Sequence, residues 1–130
     1  MKKNRWRVVP LFFVLFGLVC TAQAAEGEAA RFAEQCRTAI NFSGPGAPSP
    51  TVALDIGFCF GLMDGIRGAN TYLKKAKSEI AFCEPSWYKN DDLAKAFVAT
   101  VDKIPHLKEL RGSLAAVLAL SNAFPCKSAK

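Results

Sequence analysis

The chain has 130 residues at 14.1 kDa, enough for one domain and too short for two. Its hydrophobic share of 51% against 22% charged residues excludes long intrinsic disorder. A formal charge of +6 points to a nucleic-acid binder until the charges are placed along the chain.

At the N-terminus, Lys2, Lys3, Arg5 and Arg7 precede an uncharged run from Val8 to Cys20, and Ala22-Gln23-Ala24 follows. Basic start, apolar core and small residues before a cut form the three-part pattern of a secretory signal peptide. The uncharged run has 13 positions. A bilayer-spanning helix needs about 20, which argues against a retained anchor. Lipidation of Cys20 would call for a small residue just before it, and Val19 is too large. The expected cut lies between Ala24 and Ala25, giving a signal peptide over 1–24 and a single domain over 25–130. Cleavage removes four basic residues and no acidic one, so the net charge falls from +6 to +2. The expectation is a periplasmic protein with no nucleic-acid partner and no membrane contact once the signal is removed.

Residues 27–41 read as a first helix, with Ala29, Phe32, Ala33, Cys36 and Ile40 on one apolar face. The segment from Ser43 to Pro50, rich in glycine and proline, cannot propagate a helix and reads as a loop within one domain. A second helix is expected from Thr51 to about Lys75. It carries Gly57, Gly61, Gly65 and Gly68 within about one quadrant of its surface, opposite Cys59, Leu62, Ile66 and Leu73. Glycine inside a helix costs about 0.5–1 kcal/mol relative to alanine, so the stripe calls for a compensating close approach of another backbone. Asp55, Asp64 and Arg67 exclude a membrane-type glycine zipper. This helix is therefore expected to be central and packed on two sides. The glycines would meet another helix of the same chain, with a second copy as the alternative, and Asp64 and Arg67 read as an intrahelical ion pair.

Asn90-Asp91-Asp92 marks a third helix start, followed by Leu93, Phe97, Val101 and Ile104 and a stop at Pro105. A fourth helix is expected to carry Leu110, Leu114, Val117, Leu118 and Phe124 and to end at Pro125, with Gly112 weakening its first turn. The fold class is all-α, a compact four-helix domain.

Signal cleavage turns five cysteines into four: Cys36, Cys59, Cys83 and Cys126. An even count in a short exported chain reads as two disulfides, with three connectivities open. The helical reading prefers Cys36 with Cys59, joining two consecutive antiparallel helices, and Cys83 with Cys126, two cysteines at element ends. There is no Cys-x-x-Cys pair and His106 is the sole histidine, so neither a metal site nor a cofactor is expected. No set of residues suggests nucleophile, base and orienting group, and the chain reads as a non-enzyme. What remains is binding. Glu84, Trp87, Tyr88 and Lys89, between the second and third helices, are the candidate contact residues for a protein partner. The Asn41–Pro50 loop is a second candidate surface.

Phe58-Cys59-Phe60-Gly61 with Gly65 one turn later, Cys83 ahead of Pro85, and Ala123-Phe124-Pro125-Cys126 together resemble the Rap/Tai-type immunity proteins. The resemblance covers about residues 30–126. It departs from the family pattern at Leu62, where members carry an aromatic, and near Gly68, where they carry an acid. The resemblance implies a periplasmic immunity protein that occludes a peptidoglycan amidase effector of a type VI secretion system, acting as a homodimer and carrying out no reaction itself. A periplasmic structural or chaperone-like helical protein with the same fold and no toxin partner is the alternative.

Overall fold

The passage from the N-terminal segment into helix α1 (Glu28–Asn41) needs a glycine. In the computed structural model, which describes residues 27–126, a Cβ on Gly27 would lie 1.8 Å from the Lys108 carbonyl oxygen. The close approach lets the Ala29 amide donate to Leu110 O at 3.1 Å, so the start of α1 is tied to the segment before the last helix. The signal peptide expected over 1–24 lies outside the described residues.

Helix α2 (Pro50–Lys75) begins at Ser49, whose Oγ accepts from the Val52 amide, with Pro50 in the first turn where its missing N–H costs nothing. Two residues past its end, Lys77 takes a left-handed conformation with φ of 53°. The Ser78 amide then donates to Leu73 O, satisfying a carbonyl of the last turn. Helix α3 (Asn90–Lys103) is capped by the Asp92 carboxylate, which accepts from the Lys89 amide at 2.9 Å. A 3-10 turn (Pro105–Glu109) separates it from α4 (Gly112–Ala123).

The described residues thus form four α-helices with no β-sheet, the expected class. The arrangement corrects one expectation. Helix α1 lies at the centre, packed against α2, α3, α4 and the 3-10 turn, whereas α2 buries one face and leaves the other to solvent. The core is built from Ala29, Ala33 and Cys36 of α1, Cys59, Met63 and Ile66 of α2, Leu93, Phe97 and Val101 of α3, and Ala115, Ala116, Ala119 and Leu120 of α4. Small residues on α1 and α4 let the helix axes come close, and Phe82, Phe97, Met63, Leu93 and Leu120 fill the volume between.

The fourth helix also differs from expectation. Leu114 is exposed and Leu110 precedes the helix, while alanines line the core face. This helix is apolar on nearly all sides, so periodicity does not mark its inner face. Gly112 has a positive role: the Phe32 ring lies on it, and a Cβ there would come within 1.9 Å of Phe32 Cδ2.

Two disulfides close the structure. Cys36–Cys59 joins α1 to α2 inside the core, with Cα atoms 5.0 Å apart. Cys83–Cys126 joins the α2–α3 connection to the residues after α4, at 4.9 Å.

Candidate functional site

The connection from Ala76 to Lys89 is long and irregular, yet it is fastened to α2 at several points. Asn70, fully buried, donates from Nδ2 to Phe82 O at 2.7 Å and accepts the Phe82 amide on Oδ1 at 3.0 Å, imitating a strand partner. Its burial is tolerable because both amide functions are satisfied. Phe82 also forms an isolated antiparallel bridge with Pro125, and the Cys83 amide donates to Phe124 O at 2.8 Å.

Arg67 and Glu84 continue the fastening. Arg67 Nη2 donates to Tyr88 O at 2.8 Å, and its Nε lies 3.9 Å from Glu84 Oε1. Lys74 Nζ approaches Glu84 Oε2 at 3.3 Å, and Asn70 Nδ2 reaches the same oxygen at 3.4 Å. The expected Asp64–Arg67 pair is therefore not formed. Arg67 turns to the connection instead, where a carbonyl and a carboxylate together satisfy more of its donors than one exposed aspartate would.

These contacts sort the four candidate residues. Glu84 is occupied by Lys74, Arg67 and Asn70, and it braces the segment. Tyr88 is half-buried, its ring edge-on to Phe124 with centroids 5.4 Å apart. Trp87 is 76% exposed and stands edge-to-face with Tyr88, ring centroids 6.4 Å apart. Lys89 is exposed at the start of α3. The segment thus presents one large aromatic and one cation from a braced base. Preorganisation of this kind lowers the ordering cost of binding. The Asn41–Pro50 loop is exposed almost throughout, with Gly46 at φ of 107°.

A second surface lies on α2. Gly57, Gly61, Gly65 and Gly68 face outward, and a Cβ on any of them would meet nothing within 4 Å. The expectation that another helix of the same chain packs on this stripe is not met among the described residues. Cys59, Met63, Ile66 and Asn70 turn the opposite side of α2 to the core, and four helices are too few to cover both. The outward face also carries Leu54, Phe58 and Tyr72, which are 61%, 55% and 73% exposed. No helix among the described residues is long and apolar enough to cross a membrane.

A shallow cleft of about 350 Å³ beside α1 is lined by Ala30, Ala33, Glu34, Arg37 and Lys108. Arg37 is hydrogen-bonded to Asp102 and Glu34, and Lys108 lies 3.9 Å from Asp102, so its charges are paired. The Asp102 hydrogen bond, above all, raises the Arg37 pKa from its ordinary value and keeps the guanidinium charged. The cleft fastens α1 to α3 and has no set of groups for chemistry.

The described residues define a small helical domain closed by two disulfides. More particularly, the chain belongs to the Rap1a immunity protein family, whose model matches residues 28–126. No curated protein and no solved structure matches it. Sequence reasoning located the aromatic tip because Trp87-Tyr88 stands out in a polar connection. It missed Asn70 and the Arg67–Glu84 contact, since nothing local distinguishes a helical Asn that will pair with a distant backbone from a solvated one.

Proposed function

We propose that this protein is a periplasmic immunity protein that binds a cell-wall amidase effector delivered by a type VI secretion system and blocks its active-site groove. Membership of the immunity family over residues 28–126 is the observation that carries this reading. Two disulfides support an oxidising compartment, and the signal-peptide pattern of residues 1–24 supports export before the domain 25–130 folds. The mode of action is occlusion: Trp87, Tyr88 and Lys89 contact the effector, Glu84 holds them in place, and no reaction is carried out by the protein itself. A near-balanced domain of +2 needs no cofactor or nucleic acid for this task.

The partner list also includes a second copy of the chain. The outward face of α2 is nearly its own reverse. Under a two-fold axis at the level of Met63, Gly61 stands opposite Gly65, Phe58 opposite Gly68, Gly57 opposite Ala69, and Leu54 opposite Tyr72. Phe58 of one copy then meets Gly68 of the other, Leu54 meets Tyr72, and small residues face each other at the centre, a self-complementary arrangement of the kind a two-fold interface uses. Close approach across the glycines offsets the helix propensity they cost.

Co-expression tests the immunity reading. The product of the adjacent gene, exported to the periplasm, should lyse cells alone and leave them intact when this protein is also exported. Lysis in both cases contradicts the proposal. Suppression of client aggregation at low pH by this protein alone, with no rescue, would favour the chaperone-like alternative.

A further inference from the structure

The two disulfides differ in how a reductant could reach them. Cys36 and Cys59 are both 0% exposed, enclosed between α1 and α2. Cys83 and Cys126 are both exposed and lie outside any helix. Thiol–disulfide exchange requires an attacking thiolate to approach one sulfur directly, so access governs rate. The buried pair can be attacked only after α1 and α2 separate. The exposed pair can be attacked on the folded protein.

The exposed pair also stands at one end of the candidate binding segment. The residues after α4 are held by the Cys83 amide on Phe124 O, by the Phe82–Pro125 bridge and by the edge of Tyr88 on Phe124. All three contacts lie within a few residues of the Cys83–Cys126 bond. On its other side the connection is fastened by Asn70 to Phe82, by Arg67 and Lys74 to Glu84 and by Arg67 to Tyr88 O, so what depends on the disulfide is the Phe124 support of the Tyr88 ring.

We propose that Cys83–Cys126 is a redox-labile fastener. A dithiol reductant opens it on the folded protein, and opening frees the Tyr88 ring, with Trp87 beside it, from Phe124 while Cys36–Cys59 keeps the helical core closed. In the exchange, one reductant thiolate bonds to the Sγ of one cysteine and the other cysteine leaves as thiolate. The second reductant thiolate then attacks the mixed disulfide. Two electrons pass to Cys83 and Cys126, which take up two protons, and the reductant departs as its own disulfide. The consequence for binding rests on the proposed role of Trp87 and Tyr88; the lability itself does not.

The test treats the folded, oxidised protein with dithiothreitol without denaturant, quenches with iodoacetamide at intervals and maps the labelled cysteines by mass spectrometry. Cys83 and Cys126 should be labelled together, at least about tenfold faster than Cys36 and Cys59, with the far-ultraviolet circular dichroism unchanged. Labelling of all four at one rate, earlier labelling of Cys36 and Cys59, or no labelling before the helical signal is lost overturns the proposal. Amide hydrogen exchange on the partly reduced protein, and on C83S/C126S, should be about tenfold faster over residues 83–88 and unchanged in α1 and α3. Equal exchange over 83–88 overturns the loosening. Neither measurement uses a toxin, so failure here and failure of the immunity reading are separately visible.

Discussion

The two faces of α2 are built on opposite terms. The inner face places Cys59, Met63, Ile66 and Asn70 against α1 and the connection to α3, and each of them is buried. The outer face carries four glycines at which a Cβ would meet nothing within 4 Å among the described residues, with the exposed Leu54, Phe58 and Tyr72 around them. Within one chain the inner face explains why α2 folds and the outer face lowers its stability. Elsewhere a glycine is explained by its neighbour: Gly27 passes beneath a backbone carbonyl, and Gly112 lies under the Phe32 ring. The four glycines of α2 have no such neighbour among the described residues, which is why a second copy of the chain is proposed for this face.

Substitutions that treat the two faces alike should give unlike results. The largest effect is expected inside: Met63→Ala should lower the unfolding free energy by about 2–5 kcal/mol in denaturant titration. Phe58→Ala outside should change it by less than about 0.5 kcal/mol at low protein concentration. Gly112→Ala should cost about 1–3 kcal/mol, because the Phe32 ring must move. Gly61→Ala and Gly65→Ala should have the opposite sign, each raising the stability of the isolated protomer by about 0.5–1 kcal/mol. The bulkier Gly65→Leu should convert a dimer to a monomer in sedimentation, and a wild-type protein of monomeric mass at every concentration would contradict the two-fold arrangement. Smallest in stability is Trp87→Ala, which should leave the melting curve unchanged and act only on partner binding.

Much of this molecule was legible in its residues, for reasons that differ between elements. Leu93, Phe97 and Val101 mark the inner face of α3, and all three are buried, because a polar opposite side makes the period visible. The breaks at Ser43–Pro50 and Pro105 follow from backbone chemistry, although Pro105 opens a 3-10 turn as well as ending α3. Helix α4 hid its inner face because it is apolar all round. The direction of the glycine stripe could not be read, since close packing inside one chain and between two chains asks for the same residues. Spacing pairs Arg67 with Asp64, whereas tertiary structure offers it Glu84 and Tyr88 O. Spacing along a helix offers a pair worth only a few tenths of a kcal/mol, which a better-placed acceptor readily outbids.

We propose that this protein neutralises a toxin by binding it with surfaces that its own core leaves free. The most direct measurement adds the purified protein to the exported product of the adjacent gene and follows peptidoglycan hydrolysis as the ratio of the two is raised. Hydrolysis should fall to zero near stoichiometric addition and recover, in part or in full, when Trp87→Ala and Tyr88→Ala are combined. Undiminished hydrolysis at saturating wild-type protein would contradict the account.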